Sequence, residues 1–251
     1  MMKIDINSDL GESFGNYTLG MDAALLSLIS SANIACGWHA GDANVMAQTV
    51  RDALENNVAI GCHPGFPDLL GFGRRTIQVS PQELKNYVKY QIGALNAFVT
   101  SEGGVLKHVK PHGAMYNMAA RDEKLAHAIA EAIYEINPEM KLMGLSGSQM
   151  ITSAQRLGLK TISEVFADRA YLSDGSLVPR SQKGAVIHDR EKAIEQVMQM
   201  VKTQTVTALS GEKIEIEADS ICVHGDNQKA IEFVMGIRKH LIGEGIQIKA
   251  V

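Results

Sequence analysis

Short apolar runs alternate with amphipathic segments from one end of the chain to the other. Seven apolar runs rich in β-forming residues predict strands, at 3–7, 32–36, 58–62, 106–110, 141–145, 161–166 and 220–224. Between them, apolar residues recur at helical spacing, most clearly in 80–99, 122–136, 191–201 and 227–241. The first of these helices opens with Ser80, Pro81 and Glu83, which is a capping box with proline at the first helical position.

This alternation predicts a parallel α/β sheet, because parallel strands are joined by helical crossovers. No low-complexity linker divides the 251 residues, so we expect one domain over 1–251. A closed (β/α) barrel, seven-stranded and distorted, explains an uninterrupted domain better than the alternative, an open doubly wound sheet. The segment 205–217 alternates around a Ser-Gly turn and predicts an inserted hairpin. The Gly-rich stretch 64–79 predicts a long loop after the third strand, where barrels place their chemistry.

Composition and charge narrow the class of protein. The net charge of −4 argues against a nucleic-acid binder, which usually carries a basic excess. Asp5 and Asp9 lie where a signal peptide needs an apolar core, and no run approaches the ~20 apolar residues of a membrane span. Three widely spaced cysteines predict free thiols. We therefore expect a cytoplasmic protein with no nucleic-acid or membrane partner.

Ionisable residues follow six of the seven predicted strands. In chain order they are Asp9 and Glu12, His39 and Asp42, His63, Lys110 and His112, Asp168 and Arg169, and His224 and Asp226. A single histidine after a strand is more often structural than catalytic. In a barrel, however, all these positions converge on the C-terminal mouth, where active sites lie. The pattern predicts one shared site.

The candidates divide by chemistry. Asp42 and Asp226 precede helices, so an N-cap role explains them at least as well as catalysis. The acid/base candidates are Asp9, Glu12, His39, His63, His112 and His224. A divalent metal, if one is bound, would take its ligands from Asp9, Glu12, His39, His63 and His112, although no local metal motif is present.

Several neighbours have simpler interpretations. For His108, an even number of residues before His112 in the fourth strand, a plain structural role is favoured over the alternative of a supporting role at the site, and His127, His188 and His240 lie in or beside helices. Trp38 either walls the site or packs beneath it. Neither a P-loop nor a dinucleotide fingerprint is present, and 144–150 is better explained as an ordinary turn than as a phosphate cradle.

Seven segments, in one order across nearly the whole chain, resemble the LamB/YcsF family. They are INSDLGESFG, NIACGWHAGD, HPGFPDLLGFGRR, VKPHGAMYN, EVFADRAY, LVPRS and ICVHGDN. The resemblance implies a seven-stranded barrel related to the glycoside hydrolase/deacetylase fold. It also implies the ATP-dependent opening of 5-oxo-L-proline (pyroglutamate) to L-glutamate, with ATP as co-substrate and 5-oxoprolinase subunits B and C as partners.

Such a reaction needs a base for water, an acid for the ring nitrogen, and cations for anionic groups. Lys110, Arg169 and Arg180, with Asp168 beside them, are the candidate substrate- and phosphate-binding residues. Since no nucleotide motif is present, we expect partner subunits to bind much of the ATP. Two rival interpretations stay open: a stand-alone metal-dependent deacetylase or amidohydrolase, and a non-catalytic lactam-binding subunit.

Overall fold

The computed structural model describes residues 2–225 and 227–251. Within these residues the strands are β1 (Lys3–Leu10), β2 (Ser31–Ala35), β3 (Ala59–His63), β4 (Leu106–Val109), β5 (Lys141–Leu145), β6 (Thr161–Phe166), β7 (Thr205–Thr207), β8 (Lys213–Glu215), β9 (Ser220–Cys222) and β10 (Gln247–Ile248). The helices are α1 (Asp22–Leu26), α2 (Ala43–Glu55), α3 (Pro81–Ser101), α4 (Gly113–Ala119), α5 (Glu123–Ile136), α6 (Gln149–Arg156), α7 (Arg190–Thr203) and α8 (Gln228–Gly243).

Seven parallel strands close into a barrel in the order β1-β2-β3-β4-β5-β6-β9. Pairing between β9 and β1, with Asp5 opposite Ser220, completes the ring. The predicted seven-stranded (β/α) barrel is therefore confirmed, and the open doubly wound alternative is wrong. Strand β10 pairs with the start of β1, and β7 and β8 form an antiparallel hairpin inside 205–217.

Strand boundaries differ from the predicted ones where barrel pairing extends or shortens them. β1 continues to Leu10 because it stays paired with β2 up to Ile34. Asp9 therefore lies inside the strand rather than after it, and His63 is the last residue of β3. α1 and β10 have five and two residues and carry too little periodicity to be predicted.

The helix caps follow the sequence signals. Ser80 and Glu83 form the predicted capping box at the start of α3. Asp42 accepts hydrogen bonds from the main-chain amides of Asn44 and Val45, so its predicted N-cap role is confirmed. Asp226 lies outside the described residues, and the N-cap of α8 is Asn227.

The apolar core lies between the barrel and its helices, whereas the inside of the barrel is polar. Along β1 the side chains alternate: Ile4 and Ile6 face the helical layer, and Asp5, Asn7 and Asp9 share the other face. The three cysteines are buried free thiols, as predicted. No helix in the described part of the chain is both long and apolar enough to cross a bilayer.

Candidate active site at the barrel mouth

Four side chains from four successive strand ends meet at the mouth of the barrel: Glu12, His39, His63 and His112. Their nearest ligand atoms all lie within 4.8 Å of one another. Glu12 Oε1 is 3.1 Å from His39 Nε2, 3.6 Å from His112 Nδ1 and 4.0 Å from His63 Nε2. Parallel closure explains this meeting, because it places every strand's C-terminal end at one rim.

Glycines in the loop after β3 make room for the histidines. His39 stacks on His112 with ring centroids 3.7 Å apart, and Phe72 meets both rings edge-on. A Cβ at Gly73 would lie 2.7 Å from His39 Cβ and 2.8 Å from His112 Cδ2, closer than real contacts allow. The φ of +63° at Gly73 also disfavours other residues. The Gly-rich loop therefore packs directly against the cluster.

Hydrogen bonds define the protons on two of the rings. His63 Nδ1 lies 2.7 Å from the Lys110 carbonyl, and His112 Nε2 lies 2.8 Å from the Phe72 carbonyl. Because a carbonyl only accepts, both nitrogens donate. The inner nitrogens, His63 Nε2 and His112 Nδ1, are 2.9 Å apart. In neutral rings both would be acceptors, so this contact needs a further proton or a cation between them.

The proton belongs on His63. Burial alone would lower the pKa of His63, but Asp9, whose Oδ2 is 3.3 Å from Nε2, raises it above the ordinary value of 6.5. Burial and the neighbouring His63 lower the pKa of His112 to about 3. Burial and the other two rings hold the pKa of His39 well below its usual range. Electrostatics thus favour a proton on His63 over one on His39 or His112.

The pKa values of the two carboxyl groups, Asp9 and Glu12, shift in opposite directions. Burial would raise the pKa of Asp9, but His63 and Lys110 hold it well below its usual range. Burial and the charge on Asp9 raise the pKa of Glu12 to about 7. One carboxylate is therefore ionised and the other exchanges its proton near neutrality, which is the arrangement that acid–base sites use.

Lys110 holds Asp9 in place from inside the barrel. Its Nζ lies 2.9 Å from Asp9 Oδ1 and 2.7 Å from Glu164 Oε1, and Tyr116 donates to the other oxygen of Glu164 at 2.7 Å. With two carboxylates already bound to its ammonium, Lys110 orients Asp9, and its role as an anion binder stays a prediction. Sequence reasoning missed Glu164, although a carboxylate inside the apolar run 161–166 was a visible signal.

A chain of hydrogen bonds through Asn33 and His108 supports Asp9 inside the barrel. Asn33 donates to Asp9 Oδ1 at 2.9 Å and to Asn7 Oδ1 at 2.8 Å, and it accepts from His108 Nε2 at 2.7 Å. A Cβ at Gly61 would lie 2.1 Å from His108 Nε2, so glycine is needed opposite this ring. His108 is therefore linked to Asp9 through Asn33, which supports the less favoured of its two interpretations, a supporting role.

The remaining predicted residues are not among the four converging side chains. His224 Nδ1 is 3.7 Å from Asp168 Oδ2, apart from the histidine cluster. Arg169 is buried and donates to the carbonyls of Val178 and Ala185, contacts that hold its own loop and do not support anion binding. Arg180 is exposed at the rim.

Two further residues change the picture of the mouth. Arg74, which sequence reasoning missed, places its guanidinium carbon 5.1 Å above the Phe72 ring, beside the cluster. Trp38 packs against Tyr87 and Tyr90 of α3, at centroid distances of 4.8 and 5.2 Å. Of the two interpretations of Trp38, the packing one is therefore supported.

Two adjoining cavities open at this mouth, with volumes of about 1100 Å³ and about 420 Å³. Both are lined by Asp9, Arg74, His112, Arg180 and His224. Sites for small molecules are usually roughly 300–1,000 Å³, so the smaller cavity lies within that range and the larger one slightly above it. The buried acid–base cluster therefore has direct access to two ligand-sized spaces.

The cluster also fits a divalent metal ion. Three imidazoles and one carboxylate are a donor set that zinc and related ions accept. The carbonyls of Lys110 and Phe72 fix the outer nitrogens of His63 and His112, as partners of metal-bound histidines do. Asp9, also predicted as a ligand, is instead bound to Lys110 and Asn33 and is not among the four converging residues.

Comparison with known proteins gives the family. The LamB/YcsF family model matches residues 4–251. This chain belongs to the LamB/YcsF family. It is similar to a protein from Alkaliphilus metalliredigens that is named as the A subunit of 5-oxoprolinase, with 60% identity over 99% of this chain and 97% of that protein. The crystal structure of a lactam utilization protein from Thermus thermophilus superposes with a TM-score of 0.95 and 44% identity, covering 100% of both chains.

More distant structures share only the fold. A structure of the T48 deacetylase with substrate matches with a TM-score of 0.51 and 13% identity, covering 100% of this chain and 88% of that chain. The LamB/YcsF barrel is thus of the deacetylase-like type, as the resemblance implied. At this identity the comparison carries nothing about activity.

Proposed function

We propose that this chain is the A subunit of an ATP-dependent 5-oxoprolinase and that its barrel mouth opens the lactam ring. The observation that carries the proposal is the pairing of Asp9 with His63, whose Nε2 is 3.3 Å from Asp9 Oδ2, beside Glu12, whose pKa burial raises to about 7. That pairing lies in a chain that is 60% identical to a protein named as the A subunit of 5-oxoprolinase. The substrate is 5-oxo-L-proline and the product is L-glutamate.

The chemical problem is the stability of the amide. A five-membered lactam is resonance-stabilised, so water attacks it slowly. Transfer of a phosphoryl group from ATP to the amide oxygen makes the ring carbon electrophilic. Water then adds to that carbon, the C–N bond breaks as the ring nitrogen takes a proton, and a second water hydrolyses the resulting acyl phosphate. Two waters and one ATP are consumed for each glutamate formed.

The cluster offers a group for each proton movement. Glu12, whose pKa burial and the charge on Asp9 raise to about 7, accepts the proton of the attacking water. His63, protonated through Asp9, donates to the departing ring nitrogen. Lys110 keeps Asp9 ionised and oriented toward His63. Arg74 and Arg180 at the rim supply positive charge for anionic groups.

A divalent ion would be held by Glu12, His39, His63 and His112. When bound there, it would lower the pKa of a water molecule and polarise a carbonyl oxygen. In that state the same four side chains would act as ligands, and Asp9, held by Lys110 and Asn33, would remain beside them as a carboxylate that is not a ligand.

The partners, in this proposal, are 5-oxoprolinase subunits B and C, and they bind much of the ATP and activate the lactam. The chain has no P-loop or dinucleotide motif, which supports this division of labour. Reconstitution tests it: ATP hydrolysis and glutamate formation are measured separately with and without this chain. Glutamate formation at the full rate by the partners alone would contradict the assignment.

A second function is favoured by the Glu12 and triple-histidine cluster itself, namely a metal-dependent deacetylase or amidohydrolase that acts alone. It predicts metal in the purified protein and ATP-independent hydrolysis of acetylated sugars. A non-catalytic lactam-binding role predicts instead that alanine at His39 or His112 changes affinity without slowing a chemical step.

A further inference from the structure

The smaller cavity, of about 420 Å³, is lined by more positive than negative charge. Arg74, Arg121 and Arg180 reach it from three different loops. Among its described lining residues the one carboxylate is Asp9, which is already bound to Lys110 and faces His63. The cavity lining therefore carries a net positive charge.

None of these three guanidinium groups forms an ion pair within residues 2–225 and 227–251. The ion pairs that arginines do form there involve Arg51, Arg75 and Arg156. Arg180 also lies near a second cation, Arg169. Burial lowers the pKa of Arg169, and the positive charge of Arg180 lowers it further. Guanidinium groups without an ion-pair partner around one cavity are typical of sites that bind a carboxylate or a phosphate.

The other walls of the cavity differ in character. Phe166, Leu177 and Val178 give the lining apolar surface, and His63 and His112 of the cluster also line the cavity. The lining thus combines cationic, apolar and acid–base groups. A lactam acid has the matching three parts: a carboxylate, two ring methylenes and an amide.

We infer that the smaller cavity is the lactam subsite, in which Arg121 and Arg180 bind the substrate carboxylate while the amide faces Asp9 and His63. This inference rests on the proposed function. Arg121 is the specificity-determining residue to test, because it lines the smaller cavity alone, whereas Arg74 and Arg180 line both cavities. Arg121 lies between α4 and α5, outside the histidine cluster.

The test is calorimetric titration of the full chain with three probes: 5-oxo-L-proline, 2-pyrrolidinone, which is the same ring without the carboxylate, and inorganic phosphate. Arg121→Ala should weaken 5-oxo-L-proline binding by about tenfold or more and leave 2-pyrrolidinone binding unchanged. Arg121→Lys should recover part of the loss, because it keeps the charge but not the fork of donors. Arg51→Ala is the matched control, since Arg51 pairs with Glu102 on the exposed face of α2.

Three results would overturn the subsite: unchanged 5-oxo-L-proline binding in Arg121→Ala, an equal loss for both lactams, or a larger loss for phosphate than for 5-oxo-L-proline. Absence of 5-oxo-L-proline binding to the wild-type chain would also overturn it. Circular dichroism of each variant separates these results from misfolding. The proposed function is judged separately, by glutamate formation in the complex reconstituted with wild-type chain, so the subsite and the function can fail independently.

Discussion

His63 Nε2 lies 2.9 Å from His112 Nδ1, while the outer nitrogens of both rings donate to main-chain carbonyls. Two neutral rings held in this way would turn lone pairs toward each other. The pair is therefore built to share a cation, which is a proton on His63 in the metal-free protein and a metal ion when one is bound. Glu12 and His39 complete the ring of donors around it.

Metal binding should displace that proton. We expect chelator-treated protein to bind Zn²⁺ with release of protons, because His63 and Glu12 must lose theirs to become ligands. Calorimetry in two buffers of different ionisation enthalpy measures the number released. His39→Ala should weaken Zn²⁺ binding by about tenfold or more. His127→Ala, on the exposed face of α5, should leave it unchanged.

Failure of the wild-type protein to bind Zn²⁺, Co²⁺ or Ni²⁺ would contradict the metal assignment. The proton should then stay on His63, and the nitrogen chemical shifts of its ring should report an imidazolium at pH 7.

Glu12 should make the metal-free protein less stable as the pH rises. Its pKa is about 7 in the folded chain against an ordinary 4.5, so between those values the folded state holds a proton that the unfolded state has released. The stabilising contribution of Glu12 to the free energy of unfolding is therefore complete below pH 4.5 and is lost as the pH rises through about 7. Glu12→Gln removes the effect, so it should gain stability relative to wild type between pH 5 and pH 8, on the order of 2 kcal/mol. Urea unfolding of both proteins at pH 5 and pH 8 measures the difference in their free energies of unfolding. The same difference at both pH values would contradict the raised pKa of Glu12.

Glu164 should matter for stability as well as for the site. It is fully buried and pairs with Lys110, so Glu164→Gln leaves part of a buried charge uncompensated. Removing one partner of a buried pair costs about 3–5 kcal/mol, and Asp9, which remains beside Lys110, should keep the loss near the lower end. Glu139→Gln, in an exposed pair with Lys160, is the control and should leave the urea midpoint unchanged. Equal urea midpoints for the two variants would contradict the claim that Glu164 stabilises the protein by pairing with buried Lys110.

Gly73 should be intolerant of a methyl group. Gly73→Ala meets both His39 and His112 and also strains a φ of +63°. Gly245→Ala is the matched control, since its φ of +72° is similar but no atom lies within 4 Å of its Cβ position. We expect Gly73→Ala to lower the free energy of unfolding by about 1–3 kcal/mol more than the control does. Equal losses would mean that backbone strain alone, and not the histidine contact, accounts for the glycine.

The fold was predictable because each signal is local. Apolar runs of strand length, helical periodicity and the capping box at Ser80 each depend on a few neighbouring residues. Barrel closure was favoured because no linker divides the chain, and the family resemblance implied it as well. The end of β1 was not predictable, since it is set by pairing with β2, a long-range contact.

The candidate site was predictable in outline. The strand-end pattern places Glu12, His39, His63 and His112 at one rim, where they meet. Their catalytic roles stay predictions. The sequence could not show that His224 lies outside this cluster and beside Asp168, because its position depends on loop geometry and not on residue spacing. Glu164 and Asn33 face inward only because the barrel has this register, so their contacts with Lys110 and Asp9 could not be inferred from the sequence.

The most direct measurement is glutamate formation from 5-oxo-L-proline and ATP by the complex reconstituted with subunits B and C, comparing wild type with Glu12→Gln and His112→Ala. We expect each substitution to lower kcat by about 10²-fold or more while the complex still assembles, because Glu12 moves the proton of water and His112 holds the His63 proton in place. Arg51→Ala should match wild type. Glutamate formation at the wild-type rate by assembled complex carrying Glu12→Gln would contradict the claim that the barrel mouth opens the ring.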